Sequence, residues 1–221
     1  MNNSHVSHAN EMVEALVGGS AAPAIGLGRR ERRAAETRLR LFRSALQLFA
    51  DRGLSNVTVE DITEAADVGK GTFFNYFESK DHVLGVMAEL QLARVREAAQ
   101  SAALGKRSIR STLHHLFLRL AQEPGRSPHL ARALISSFLA SDVVRELIER
   151  QISEGRVMIA RVIAEGQKRG EIDPKLKSQE VALQLQQTLM GTVLLWSLHG
   201  EPELAIWIEN SFQQFWRGIT A

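Results

Sequence analysis

The hydrophobic residues of this chain recur every three or four positions over most of its length, which is the spacing of one face of an α-helix. The first clear stripe consists of Leu39, Phe42, Ala45, Leu46 and Phe49. It predicts a helix over residues 32–52, because Arg52 and Gly53 provide a cation in the last turn and a glycine just beyond it.

Two very short helices follow the first one. The earlier of the two begins after Thr58, whose hydroxyl can form a capping box with Asp61, and Asn56 is a second candidate cap. A tight connection at Asp67-Val68-Gly69 separates it from the later one. The next predicted helices cover residues 70–77 and, with Ser79 as a cap, 79 to about 99.

The second half of the chain is predicted to be helical throughout, with breaks at glycines and prolines. The predicted helices lie near residues 108–122, 128–140, 142–169, 176–199 and 202–219. Residues 181–198 are apolar on more than one face, so this segment must be covered both by its own core and by a second copy of the chain. The partners predicted for that interface are Val144, Ile148, Ile152, Ile159 and Ile163, with Gly155 and Gly191 allowing close approach.

The charge is concentrated in one part of the chain. The whole sequence of 221 residues carries a net charge of +2. Residues 29–58, however, hold eight arginines against three acidic residues, which is typical of a protein that binds a polyanion. A solvated basic face is the alternative, and for Arg29–Arg33 an arm that enters the minor groove is a further one.

Composition excludes several other classes of protein. The absence of cysteine excludes a disulfide framework and a thiolate zinc site. The seven histidines have no spacing typical of a metal site, so no metal and no cofactor is expected. No apolar run is long enough for a membrane span, and no export signal is visible, which predicts a cytoplasmic protein without membrane contact.

Residues 58–77 have the layout of a helix-turn-helix: two short helices, joined by a turn containing glycine, behind a longer helix. In this arrangement the second helix enters the major groove of DNA, where its first residues can reach base edges. The segment from Thr58 to Lys80, read as TVEDITEAADVGKGTFFNYFESK, resembles the DNA-binding domain of the TetR family. The resemblance covers roughly residues 36–96.

The resemblance implies an all-α fold, with a three-helix DNA-binding domain followed by a larger helical domain for ligand binding and dimerisation. The expected divisions are a mobile tail at residues 1–28, a DNA-binding domain with its linking helix at 29–99, and the second domain at 100–221. It also implies a homodimer that binds a palindromic operator in double-stranded DNA. A repressor released by a small-molecule effector is the expected function.

The resemblance also implies roles for individual residues. Base readers are expected among Lys70, Gly71, Thr72 and Asn75, and contacts to the phosphate backbone at Thr58, Tyr76 and Lys80. Phe74 belongs to the same DNA-facing set, but it stands where the family has tyrosine and lacks the hydroxyl that binds phosphate. Asp67 stands in place of the usual glycine, and Gly69 in place of a small residue such as serine. The two helices should be held together by Val59, Ile62, Ala66, Val68, Phe73 and Phe77.

An effector cavity is expected by resemblance in the C-terminal half. The candidate wall residues are Met87, Leu90, His115, Phe117, Leu118, Phe138 and Met158, each of which has an alternative place in the ordinary core. Because few of them are charged, an apolar or aromatic effector is expected. Two other functions stay open on sequence alone: a helical enzyme or ligand carrier, and an architectural DNA binder that has no effector.

Overall fold

The computed structural model describes residues 28–140 and 142–220, and in these ranges every regular element is a helix. The all-α fold predicted from the sequence is confirmed. The tail predicted for residues 1–28 lies outside the described residues except for Gly28. The chain forms two compact units that divide between Leu90 and Gln91. The boundary predicted between residues 99 and 100 stays a prediction.

The first unit contains three complete helices and the start of a fourth. These are α1 (Arg29–Arg52), α2 (Val59–Ala65), α3 (Lys70–Phe74) and α4 (Val83–Ala103), with a 3-10 turn at Leu54–Asn56. The buried face of α1 includes the whole stripe predicted from the sequence. As expected, α1 ends at Arg52, because the next residue, Gly53, has a φ of 77° that favours glycine.

Two predicted helix starts differ from the structure. Helix α1 begins at Arg29, so Arg29–Arg33 form its first turns rather than an extended arm. Helix α4 begins at Val83, because the side chain that was expected to cap it is engaged elsewhere: the Ser79 hydroxyl lies 2.9 Å from His82 Nδ1. Residues 80–82 form turns before the helix starts.

The second unit consists of the rest of α4 and five further helices. These are α5 (Ile109–Gln122), α6 (Pro128–Ala140), α7 (Asp142–Lys168), α8 (Ser178–His199) and α9 (Leu204–Ile219). Their bounds agree with the predicted ones to within about two residues, since glycine and proline end helices by local means. None of the helices in the described residues is long and apolar enough to cross a membrane.

Aromatic side chains fill the centre of the second unit. The ring of Phe117, which is fully buried, lies 5.4 Å from that of Phe212 and 6.2 Å from that of Phe215. Trp196 is also buried, and its indole N–H donates to the carbonyl oxygen of Pro202 at 2.9 Å. Each fully buried aromatic or aliphatic side chain of this kind contributes about 1.5–3 kcal/mol to folding.

Two polar side chains of α4 hold the end of α5. The Gln91 amide donates to the carbonyl oxygen of Leu120 at 2.9 Å, and the guanidinium of the buried Arg94 donates to that of Arg119. Arg94 also lies 3.8 Å from a carboxylate oxygen of Glu123, although burial lowers its pKa. The last carbonyl groups of a helix have no partner within it, so these side chains cap α5.

Candidate DNA-binding surface

The start of α2 is fixed by a reciprocal cap. Thr58 Oγ1 accepts a hydrogen bond from the Asp61 backbone N–H at 3.1 Å, and the Asp61 carboxylate accepts one from the Thr58 N–H at 2.7 Å. The hydrogen bonds from Thr58 lower the pKa of Asp61. The predicted capping box is therefore confirmed at Thr58. Asn56 caps the preceding helix instead, because its amide donates to the Arg52 carbonyl oxygen at 2.8 Å.

The turn between α2 and α3 needs a left-handed residue, and that residue is Asp67. Its φ is 50°, the positive value expected for a position where the family has glycine. The backbone N–H groups of the turn have partners: Asp67 donates to Glu64 O and Val68 to Thr63 O, both at 3.0 Å. The turn is thus hydrogen-bonded to the end of α2, which fixes the direction in which α3 starts.

The two short helices are held together by a small apolar cluster. Ile62 and Phe73 are fully buried, and Ala66 and Phe77 nearly so, while the predicted Val59 and Val68 are half-buried. The rings of Phe73 and Phe77 lie 5.3 Å apart. Arg38 of α1 covers the outer side, with its guanidinium carbon 5.8 Å from the centre of the Phe77 ring and a 3.2 Å ion pair to Glu89.

Helix α3 buries only Phe73 and leaves its other side chains at or near the surface. Lys70, Gly71 and Asn75 are exposed, Thr72 is half-buried, and Phe74 is 51% exposed. A Cβ built on Gly71 would meet no atom of the described residues within 4 Å. The packing of the protein itself therefore does not require a glycine there, and the space in front of the helix is open.

Lys70 has a partner that the sequence did not reveal. Its ammonium donates to the carboxylate of Glu60, which lies in the first turn of α2, and this hydrogen bond lowers the pKa of Glu60. Ten positions separate the two residues, so no helical spacing relates them. The pair holds the Lys70 side chain at the start of α3, the end that is expected to meet DNA.

Lys80, expected as a phosphate contact, makes two contacts inside the protein. Its ammonium donates to the carbonyl oxygens of Leu54 and Val57, each at 2.8 Å, and the side chain is partly buried. These bonds attach the segment after α3 to the turn before α2. An ammonium has three donors, so one remains available for a phosphate. Tyr76, the other expected contact in this segment, is half-buried.

The residues expected to line an effector cavity fall into different surroundings. Met87 and Leu90 are buried in the first unit. In the second unit, Phe117 is fully buried among aromatic rings, Leu118 and Met158 pack against the same core, and His115 is exposed. The side chain of Phe138 lies outside the described residues. Phe117 therefore lies in the ordinary core, which is the alternative given for it above. The assignment of these residues to the wall of an effector cavity stays a prediction.

One face of α8 is apolar but is left exposed by the described residues. Its inner face is buried by Val181, Ala182, Leu185 and Trp196, as expected for a core helix. Its outer face exposes Leu183, Met190, Leu194, Leu195 and Leu198, between 37% and 64% each. The predicted second strip on α7 is wrong in part, because Ile148, Ile159 and Ile163 are buried inside their own chain. Gly155 likewise faces Leu92 and Val95 of α4.

Comparison with known proteins gives matches in both units. The family model described as bacterial regulatory proteins, tetR family, matches residues 41–87. The model described as tetracyclin repressor-like, C-terminal domain, matches residues 129–212. Together the two matches cover more than half of the chain.

Individual relatives agree with the family models. The HTH-type transcriptional repressor DhaR of Mycobacterium sp. strain GP1 is 29% identical over 160 residues, which are 71% of this chain and 80% of DhaR. The regulator TcmR of Streptomyces glaucescens is 47% identical over 58 residues, 26% of each chain. The structure of Thermus thermophilus FadR, a TetR family repressor in complex with lauroyl-CoA, has a TM-score of 0.59 at 26% identity and covers 83% of this chain and 95% of FadR.

The helix-turn-helix geometry, the two family models and these relatives lead to one conclusion. The chain belongs to the TetR family, and it is a DNA-binding transcriptional regulator rather than an enzyme.

Proposed function

We propose that this regulator represses transcription in the bacterial cytoplasm by binding a palindromic operator as a homodimer, and that a small effector with a large apolar part releases it. The observation that carries the proposal is the surface of α3. Its single buried side chain, Phe73, fixes the helix, while Lys70, Gly71 and Asn75 face outward without cover. A helix held in this way can enter a major groove and present its first residues to base edges.

The roles within α3 follow from the chemistry of its side chains. Asn75 can bind an adenine edge with two hydrogen bonds, Thr72 can bind a base edge or pack on a thymine methyl, and Lys70 can bind guanine. Gly71 would let the backbone approach the DNA closely, since the space in front of it is open. Thr58 and Tyr76 on either side of α3 are assigned to phosphates, which fix the position of the protein on the duplex.

Binding to DNA is tested by titrating a labelled duplex that carries an inverted repeat and following fluorescence anisotropy at several salt concentrations. Affinity should fall steeply with salt, because lysine and arginine release counterions from the phosphates. Thr72→Ala should reduce the preference for the correct repeat over a scrambled one by about tenfold, the value of a good base contact. Lys106→Ala, an exposed lysine in the second unit, is the control and should change neither quantity.

The homodimer is supported by the outer face of α8. Leu183, Met190 and Leu194 follow one another at intervals of seven and four residues, so they lie on one side of the helix. An exposed apolar stripe of this regularity is typical of helix–helix contact between subunits. In a two-fold dimer, the two copies of α3 would have to lie about 34 Å apart to enter successive major grooves.

Release by an effector is supported by one relative and by the composition of the second unit. Thermus thermophilus FadR was solved in complex with lauroyl-CoA, a ligand with a long apolar chain. The second unit of the present chain has a centre rich in phenylalanine and tryptophan, which can adapt around such a chain. A ligand that binds one conformation of the dimer more tightly would shift the population away from the DNA-bound spacing.

Release is tested by adding acyl-CoA thioesters of increasing chain length to the preformed protein–DNA complex. A decrease in anisotropy at micromolar ligand, together with a raised melting temperature of the protein, supports the proposal. If acyl-CoA and a panel of aromatic ligands change neither the melting temperature nor the complex, the chain is a DNA binder without an effector of this class.

A further inference from the structure

An open groove runs along the surface of the second unit between the later part of α7 and the start of α8. Its floor consists of Val157, Ala160 and Ala164, and its far wall includes Ser178 and Gln179 at the start of α8. Arg156 and Arg161 stand at its edge. The groove therefore combines an apolar floor with two cationic groups at the rim.

Within the described residues, the two arginines of the groove have no acidic partner. Arg156 donates to the hydroxyl of Ser153 at 3.1 Å, and Arg161 is exposed. Among residues 28–140 and 142–220, neither guanidinium forms an ion pair with a carboxylate. Two other cations of α7 are paired: Arg145 with Asp142 at 2.6 Å and Lys168 with Glu165 at 3.6 Å. An occupant of the groove should therefore bring negative charge beside an apolar group.

The opposite end of α8 has those complementary properties. Leu194 and Leu198 are exposed by 43% and 64% at the last two turns of the helix. The helix ends at His199, where Gly200 with a φ of 79° reverses the chain into a turn that contains Glu201 and Glu203. Both glutamates are exposed and, within the described part of the chain, form no ion pair.

Two-fold symmetry brings unlike ends of a helix together. When equivalent helices pack against each other across a two-fold axis that is perpendicular to them, they run antiparallel, and the end of one lies beside the start of the other. Helix α8 has 22 residues. If the axis passes near its middle, between Thr188 and Leu189, Leu198 of one copy lies opposite Gln179 of the other, at the groove.

We propose that this groove is a docking site for the second copy of the chain. Its apolar floor receives Leu194 and Leu198 of that copy, and Arg156 and Arg161 pair with its Glu201 and Glu203. Each dimer contains this contact twice. The leucines supply the affinity, whereas the charges fix the register and exclude a parallel arrangement in which arginine would meet arginine. The inference rests on the proposed homodimer and specifies its geometry.

The test is charge reversal in the full-length chain, followed by sedimentation equilibrium. Arg161→Glu and the double variant Glu201→Arg/Glu203→Arg should each raise the dimer dissociation constant about tenfold or more. Combining these three substitutions with Arg156→Glu should return it to within a few-fold of the unmodified chain, because both pairs are then restored with reversed polarity. Lys106→Glu makes the same change in net charge as Arg161→Glu outside the groove, and it should leave the dissociation constant unchanged.

The outcomes separate this inference from the dimer itself. If the unmodified chain dimerises but the reversals have no effect, or if their effects add up in the quadruple variant, the groove does not hold the acidic turn. If the unmodified chain is a monomer at tens of micromolar, the proposed homodimer fails first. If Arg161→Glu leaves dimerisation intact but abolishes binding of the fluorescent fatty acid cis-parinaric acid, an amphipathic anion occupies the groove instead of a second copy.

Discussion

Helices α3 and α8 both present a face that residues 28–140 and 142–220 leave exposed, but the two faces differ in chemistry. Helix α3 has five residues, and those it exposes are polar or small apart from Phe74. Helix α8 has 22 residues and exposes a stripe of leucines and one methionine. A polar face without an apolar stripe can hydrogen-bond to base edges and to hydrated phosphates. A row of leucines, by contrast, is stabilised only when it is removed from water.

The comparison shows where each helix obtains its stability. A helix of five residues cannot persist in isolation, so α3 depends on the burial of Phe73 and on the hydrogen-bonded turn before it. Helix α8 is long and is anchored by a full buried face, and its outer leucines, which are 37% to 64% exposed, add less to the fold of a single chain than the buried ones do. In each helix, therefore, substitution of a buried residue should mainly affect folding, whereas substitution of an exposed residue should mainly affect binding.

The largest effect is expected for the aromatic pair in α3. Phe73→Ala removes a fully buried ring and should lower the free energy of unfolding of the first unit by about 3–5 kcal/mol. Its neighbour Phe74 is 51% exposed, so Phe74→Ala should cost less than about 1 kcal/mol and mainly weaken DNA binding. Urea unfolding of both variants measures the difference. Equal losses of stability would contradict the assignment of the two faces.

The next effect concerns the outer stripe of α8. Leu194→Lys places a charge on the proposed dimer contact in each copy and should weaken the dimer by about 3 kcal/mol, roughly a hundredfold. The stability of the single chain should change less than the stability of the dimer, since this side chain is already 43% exposed. Leu104→Lys, at a leucine that is 65% exposed outside α8, is the control. A dimer that sedimentation velocity finds unaffected by Leu194→Lys would remove the stripe from the interface.

Lys80 tests whether a residue expected to touch DNA also holds the fold. Lys80→Ala leaves the carbonyl oxygens of Leu54 and Val57 without their donor and should destabilise the first unit by about 1–3 kcal/mol. A role in phosphate binding alone predicts unchanged stability and weaker binding to all sequences alike. Thermal unfolding of the variant without DNA distinguishes the two.

The smallest effect is expected for Gly71→Ala, which should raise the stability of the protein but lower its affinity for DNA. Gly71→Ala replaces a helical glycine where a Cβ meets no atom within 4 Å in the part of the chain that the structure describes, so stability should rise by up to about 1 kcal/mol. DNA affinity should fall, because the new methyl group would occupy the space through which the backbone approaches the bases. A variant that is more stable and binds DNA equally well would show that α3 does not approach so closely.

Local signals predicted most of the fold. Glycine at position 53 and the cap of Thr58 with Asp61 gave helix ends that the structure confirms, because both act within one helical turn. Ser79 is the exception, since its hydroxyl pairs with His82 and the helix starts at Val83. A potential cap has several possible partners, and the sequence does not say which one it takes.

Contacts between distant residues could not be predicted in the same way. The bond from Lys80 to Leu54 spans 26 positions, and that from Lys70 to Glu60 spans ten. Periodicity likewise shows that α7 has an apolar face but not which neighbour covers it. Ile159 and Ile163 were therefore assigned to the dimer, although they lie in the core of their own chain.

The central claim is that two copies of α3 read DNA from a symmetric dimer, and selection of bound sites tests it most directly. Full-length protein is incubated with random duplexes at physiological salt, and the retained fragments are sequenced over several rounds. A symmetric dimer should select an inverted repeat whose half-sites are centred about 10 base pairs apart, or a multiple of that distance. Retained fragments that share no sequence, or that carry a single unrepeated half-site, would contradict it.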